Sequence, residues 1–127
     1  MGEEMTVLIT GDMSFSYDVN GLSSTYLSPR FKIIVMCNGG GGIFRFIKPT
    51  SDLPELETCF EIHRDISVEK YADLFGLRYF ELNDEKSASE VLSLFFAEKD
   101  RPAILAVHTP NVYNAEVLRG YFRRSRQ

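Results

Sequence analysis

Hydrophobic and polar positions along the chain fall into two alternating kinds of segment. Short apolar runs, each of strand length, occupy residues 5–10, 31–36, 77–82 and 103–108. Between these runs, apolar residues recur three or four positions apart, as they do on one face of a helix. This alternation predicts an α/β fold in which helices cover both faces of a parallel sheet.

The ends of the helices are predicted from capping patterns. The first helix is expected to begin at Ser14 and to close before Pro29. Ser87 and Glu90 have the spacing of a capping box at the start of a third helix. Asn114 is expected to cap the last helix, since its short amide side chain can accept from free backbone N–H groups.

Residues 43–60 show no convincing period and predict a long loop. The segment contains Pro49 and Pro54, which interrupt regular structure. Loops of this length in compact domains tend to be functional or mobile, so this segment is a candidate for part of a site.

Composition predicts one acidic globular domain spanning residues 1–127. The chain is 44% hydrophobic and 25% charged, with a formal net charge of −4 and a pI near 5.2. That charge argues against nucleic-acid binding. The basic exception is the C-terminal tail, whose arginines predict either a solvated helix face or an anion site. These arginines are Arg119, Arg123, Arg124 and Arg126.

The cysteine count and the hydropathy of the chain predict a protein of the reducing cytoplasm. Cys37 and Cys59 are too few for a disulfide framework and are expected to be reduced thiols. No signal peptide is recognised, and no apolar run is long enough to cross a bilayer, so no membrane partner is expected.

His63 and His108 have no motif partner, which favours surface or hydrogen-bonded roles over a chemical one.

The strongest chemical signal is the pair Asp12 and Asn38. Asp12 follows the first apolar run, and Asn38 follows the second one 26 residues later. A parallel sheet brings the carboxyl ends of its strands to one edge, where ligands of such folds bind. Carboxylate, amide and carbonyl oxygens suit Mg²⁺ or Ca²⁺. An ion beside a helix N-terminus could hold a diphosphate, although Asp12 alone could equally be a helix cap.

Four glycines follow Asn38, at residues 39–42. Their spacing and the residues after them exclude the common nucleotide-binding loops. The segment contains no G-x-G-x-x-G, and no Lys-Ser or Lys-Thr follows it, as a P-loop requires. A run of glycines allows bare backbone to approach a ligand, although it could also form a flexible turn. Ser14, near the start of the first helix, could donate to a phosphate oxygen or cap the helix.

These motifs resemble the diphosphate-binding domain of thiamine diphosphate enzymes. The matching segments are Gly11-Asp12-Met13-Ser14-Phe15, then Tyr17-Asp18-Val19-Asn20-Gly21-Leu22, and then Asn38 with Gly40-Gly41-Gly42-Ile43-Phe44. The family anchors Mg²⁺ and the cofactor's diphosphate with Gly-Asp, a spacer and Asn. Within it, the second and third segments look like the menaquinone-biosynthesis synthases of the MenD type. The likeness covers nearly the whole chain.

The resemblance implies a cofactor site for thiamine diphosphate and Mg²⁺, with Mn²⁺ as a possible substitute. It implies that Asp12 and Asn38 are side-chain ligands of the metal and that Gly40 supplies a backbone carbonyl. Ser14 would join these three residues in binding the cofactor. Ile43, Phe44 and Ile47 match positions that line the family's substrate pocket, although packing under a loop would explain them equally well.

The resemblance further implies a transferase acting on two small molecules. Such enzymes decarboxylate 2-oxoglutarate and transfer the remaining four-carbon unit to isochorismate. Family active sites lie between subunits, so the parent enzyme is expected to be a homodimer or homotetramer. The family's activating glutamate lies on another domain, and nothing in these 127 residues matches it. We therefore expect no catalytic residue in this chain.

The chain is accordingly expected to be a C-terminal fragment of a longer enzyme, or one chain of a split enzyme, with its diphosphate-binding domain shortened at the N-terminus. Two alternatives remain open. One is another thiamine enzyme, of the decarboxylase or acetolactate-synthase type. The other is a non-catalytic domain that binds Mg-diphosphate or a partner subunit.

Overall fold

A computed structural model describes residues 4–47, 50–60 and 66–124 of the chain and contains one parallel sheet. Its four strands lie in the order β1-β2-β4-β3, and every neighbouring pair is parallel. The strands are β1 Thr6–Gly11, β2 Phe31–Cys37, β3 Arg78–Leu82 and β4 Ala103–His108. The prediction of a parallel α/β sheet is confirmed.

Helices cover both faces of this sheet, as the alternating pattern predicted. The α-helices are α1 Asp12–Asp18, α2 Val68–Phe75, α3 Ala88–Ala97 and α4 Asn111–Arg124. Successive side chains of β4 point to opposite faces. Ile104 packs in a core that includes residues of α1 and α2, whereas Leu105 packs in a second core around Phe95 of α3.

A lysine lies fully buried inside the apolar β2. Lys32 is inaccessible to solvent, and its ammonium group donates to the backbone carbonyls of Glu98 at 2.7 Å and Pro29 at 3.2 Å. Glu98 caps the C-terminus of α3, so a positive charge meets the negative end of that helix. Burial lowers the pKa of Lys32, and the negative charge of Glu98 partly offsets this effect.

The first helix is shorter than predicted. It begins at Asp12, ends at Asp18 and passes into a 3₁₀ turn, Val19–Ser23. Asn20 and Gly21 interrupt the α-helix because both residue types have low helix propensity. Apolar spacing continues through the 3₁₀ turn, and for this reason the sequence pattern overestimated the helix.

Two predicted capping interactions are also wrong, although Ser87 does occupy the N-cap position of α3. Ser87 accepts no capping bond; Asp84 caps the preceding 3₁₀ turn instead, accepting from the backbone N–H groups of Lys86 and Ser87 at 2.8 and 3.1 Å. The last helix begins at Asn111, three residues before Asn114. The amide of Asn114 points back and donates to the carbonyl and the hydroxyl of Thr109.

The segment predicted as a long loop contains only short helical turns among its described residues. They are the 3₁₀ turns Gly42–Arg45 and Thr50–Asp52 and the π-helical turn Leu56–Phe60. No periodic pattern in the sequence predicted these turns. His63 lies outside the described residues.

No helix in the described part of the chain combines the length and the apolar character that crossing a bilayer requires.

Candidate metal and diphosphate site

The two strand ends that carry Asp12 and Asn38 are neighbours in the sheet. Gly11 of β1 pairs with Met36 of β2. Asp12 and Asn38 therefore leave parallel, adjacent strands one and two residues beyond this pair. The structure brings them together at the carboxyl edge of the sheet, as predicted from the sequence.

The carboxylate of Asp12 organises the loop after β2. Asp12 is buried, with 4% of its surface exposed. Its Oδ2 accepts from the backbone N–H groups of Asn38, Gly39 and Gly40 at 3.0, 2.9 and 3.2 Å. Its Oδ1 accepts from the N–H of Met13 at 2.8 Å. Such charge-assisted bonds are strong, so Asp12 fixes the backbone of this loop as well as offering an oxygen ligand.

The glycines after Asn38 are required by backbone conformation. Gly39, Gly40 and Gly41 have φ angles of +84°, +87° and +64°. This left-handed region is costly for residues with a Cβ atom. Gly39 and Gly40 bend the backbone around Asp12, and Gly41 leads into the turn Gly42–Arg45, so a steric requirement explains three of the four glycines.

The oxygens at this edge fit a hard divalent cation. Oδ1 of Asp12 and Oδ1 of Asn38 each accept one described hydrogen bond, the latter from the N–H of Gly40 at 3.0 Å. A carboxylate or amide oxygen has two lone pairs, so each can still bind a metal. Such a donor set suits Mg²⁺.

Protein side chains alone would hold such an ion weakly. Within residues 4–47, 50–60 and 66–124, no three His, Cys, Asp or Glu side chains cluster in a way that could hold a metal. Mg²⁺ binding at Asp12 and Asn38 would therefore need further oxygens, such as those of a diphosphate.

Ser14 and the predicted substrate-pocket residues lie in different surroundings. Ser14 is exposed on α1 and lines a cavity with Thr10 on the β1 side of the sheet. Ile43 and Ile47 are 60% and 47% exposed. Phe44 packs against Phe60, with ring centroids 5.4 Å apart. Two of the three proposed pocket positions are therefore open to solvent.

A Glu–His pair at the same edge was not singled out from the sequence. His108 Nε2 lies 3.0 Å from Glu81 Oε1, and Tyr79 donates to the same oxygen at 3.2 Å. This agrees with a hydrogen-bonded role for His108. Glu81 is separated from His108 by 27 positions, so only the pairing of β3 with β4 could reveal this contact.

Cys37 lies between Asp12 and Glu81 and is a poor nucleophile. Burial raises the pKa of its thiol to about 11, and the negative charges of Asp12 and Glu81 act in the same direction. The protonated form of a thiol is unreactive. This agrees with the expectation that Cys37 fills space beside the core.

Fold and site together define a parallel α/β domain with an oxygen-rich site at the carboxyl ends of two adjacent strands. No protein-family model matches the chain. Curated relatives do match it over nearly its whole length, and they are 2-succinyl-5-enolpyruvyl-6-hydroxy-3-cyclohexene-1-carboxylate synthases. The chain belongs to this synthase family, and the resemblance drawn from its motifs is confirmed.

Three relatives illustrate the extent of the similarity. The synthase of Porphyromonas gingivalis is 49% identical over 117 residues, which cover 92% of this chain and 20% of that protein. The Flavobacterium johnsoniae synthase is 40% identical over 92% of this chain and 21% of its own length. The Christiangramia forsetii synthase is 37% identical over 94% and 21%. The chain thus spans about one fifth of its relatives.

Proposed function

We propose that this chain is the cofactor-anchoring domain of a thiamine diphosphate-dependent synthase of menaquinone biosynthesis. Asp12, Asn38 and Gly40 would hold Mg²⁺, and these residues with Ser14 would hold the diphosphate. The supporting observation is the contact between the Asp12 carboxylate and the backbone of Asn38–Gly40. It joins the two halves of the motif at one edge of the sheet.

The residues of the chain would anchor the cofactor and shape the substrate pocket. The bound cofactor would supply the decarboxylation and carbon–carbon bond chemistry. Asp12 and Asn38 would neutralise and orient the Mg-diphosphate through their oxygens. Ile43, Phe44 and Ile47 would form an apolar wall of the substrate pocket. The substrates would be 2-oxoglutarate and isochorismate, and the parent would be a cytoplasmic homodimer or homotetramer.

The names of the relatives favour this synthase over an acetolactate-synthase type of enzyme. A non-catalytic Mg-diphosphate-binding domain would use the same anchor. The synthase and the non-catalytic domain are distinguished by measuring turnover after the remaining domains of the parent are supplied.

The anchor is tested by following Mn²⁺ binding with amide NMR. Mn²⁺ broadens resonances close to it, so weak binding can be detected. With thiamine diphosphate present, we expect selective broadening of the amides of Met13 and residues 38–40. Mn²⁺ without diphosphate should broaden them far less, because the protein supplies few ligands. Excess Mg²⁺ should reverse the broadening.

The matched variants are Asp12→Asn and Asp18→Asn. Asp12→Asn keeps the side-chain shape and one acceptor oxygen but removes the charge, and we expect it to lower metal affinity at least about tenfold. Asp18 is exposed on the same helix, so its variant should bind as the wild type does. Broadening elsewhere, or equal broadening in both variants, would refute the proposed anchor.

A further inference from the structure

The turn that follows the Asp12-bound loop carries two of the proposed pocket residues. It spans Gly42–Arg45 and is closed by bonds from the N–H of Phe44 to the carbonyl of Gly41 and from the N–H of Phe46 to that of Ile43, both at 3.0 Å. The position of Phe44 and Ile43 therefore depends on how this turn is held.

An arginine of α4 binds the end of this turn. Nη2 of Arg119 donates to the backbone carbonyl of Arg45 at 2.6 Å, across 74 positions of sequence. Carbonyls in the last turn of a helix lack helical partners, and a guanidinium satisfies one with a charge-assisted bond. Its positive charge also suits the negative end of a helical turn.

Arg119 reaches Arg45 from a helix whose start is fixed to the sheet. Asn114 donates to the carbonyl and the hydroxyl of Thr109, directly after β4, at 3.2 and 3.0 Å. Ala115 is buried, with 5% of its surface exposed. Arg119 lies little more than one helical turn beyond these contacts, so it can transmit the position of β4 to the Gly42–Arg45 turn.

The surroundings of Arg119 favour this role over the anion site left open by the sequence. Arg45 and Arg119 line a small cavity together with Glu116. An anion entering this cavity would meet the carboxylate of Glu116. The described bond of Arg119 is also made to a carbonyl of the chain.

We propose that Arg119 is a positioning residue that holds the Gly42–Arg45 turn in place and thereby sets one wall of the substrate pocket. The importance of this wall rests on the proposed function. The fixing of the turn itself is a property of the chain and is measured without cofactor.

The test is amide hydrogen exchange of the 127-residue chain and its variants Arg119→Met, Arg119→Lys and Arg124→Met. Arg119→Met keeps much of the apolar stem and removes the donors. We expect the amides of Phe44 and Phe46 to exchange about tenfold faster in this variant, while strand amides such as that of Ile104 are unchanged. Arg119→Lys keeps a charged donor and should restore part of the protection.

Arg124→Met is the matched control, because Arg124 is an exposed arginine in the last turn of the same helix. The amides of the Arg124→Met variant should exchange as those of the wild type do. Unchanged exchange at Phe44 and Phe46 in Arg119→Met would overturn the proposal, and so would an equal effect of Arg124→Met. Loss of protection throughout the sheet would show a general folding role and would also overturn it. None of these results depends on Mg-diphosphate binding, so the two proposals fail separately.

Discussion

At the scale of single residues, Asp12 was the most predictable part of the site. Its position after β1 indicated an oxygen ligand at the sheet edge, and the structure places it beside Asn38. Its bonds to three successive N–H groups of the loop could not be read from sequence, because they depend on the positive φ angles of Gly39 and Gly40. A glycine run announces conformational freedom without specifying which conformation is used.

The thiol of Cys37 provides a prediction about pH. Its raised pKa, about 11 against a usual value of 9.0, should make its thiolate about a hundredfold scarcer at pH 8. In a Cys59→Ser variant, iodoacetamide should therefore modify Cys37 slowly in the folded chain and much faster in urea. The folded rate should keep rising with pH until about 11 and should not level off near pH 9.

The raised pKa of Cys37 also makes the stability of the folded chain depend on pH. The unfolded chain loses the Cys37 proton first, so the thiol's contribution to folding is present below about pH 9 and is lost as the pH rises towards 11. A Cys37→Ala variant, which should lack this part of the pH dependence, is the control. A folded alkylation profile with its midpoint near pH 9 would contradict the raised pKa.

At the scale of elements, strands were predicted more accurately than helix ends. Strands were recognised by short apolar runs, and each strand lies within one residue of its predicted run, including the largely exposed β1. Helix ends depend on which nearby side chain reaches a free N–H group first, and Asp84 does so ahead of Ser87. Asn114 was similarly expected to cap, yet it binds Thr109 from inside α4. The capping box thus identified the N-cap residue of α3 but not its bonding, whereas the expected cap at Asn114 missed the start of α4 by three residues.

The junction of β2 with α3 predicts a strong effect at Lys32. Lys32→Ala should lower the free energy of unfolding by about 3 kcal/mol, because it opens a cavity and leaves two carbonyls without their donor. Lys32→Met fills most of the cavity with an apolar side chain and should lose less than half of that. Urea denaturation of each variant measures these changes.

Lys99→Ala is the control for Lys32, since Lys99 is an exposed lysine just beyond the end of α3. Its substitution should change stability by less than about 0.5 kcal/mol. Equal losses for Lys32→Ala and Lys99→Ala would show that the buried ammonium contributes nothing specific.

At the scale of the whole molecule, the α/β class followed from alternation of the two periodicities. The strand order did not follow from it, because β4 lies between β2 and β3 and no local pattern encodes that insertion. The meeting of Asp12 with Asn38 needed only that β1 and β2 be parallel neighbours. The meeting of Glu81 with His108 depended on the pairing of β3 with β4. Neither residue carries a motif that would have singled it out, so only the first pair was predicted.

In the proposed function this chain anchors the cofactor and does not itself carry the catalytic residues. This predicts how the chain behaves alone. The site offers Asp12 and Asn38 for a metal, while the nearby Glu81 is already bonded to His108 and Tyr79. The resemblance implies that the activating glutamate lies on another domain. The purified chain with thiamine diphosphate and Mg²⁺ should therefore release no CO₂ from 2-oxoglutarate above the buffer rate.

Adding the remaining domains of the parent as a separate polypeptide should restore CO₂ release, since the two halves of the site would then meet. Asp12→Asn in the 127-residue chain should abolish the restored activity, whereas Asp18→Asn should leave it intact. Release by the chain alone that Asp12→Asn removes would show that these 127 residues contain their own proton-transfer group. Anchoring and catalysis would then reside in one domain, and Glu81 with His108 would be the first residues to substitute.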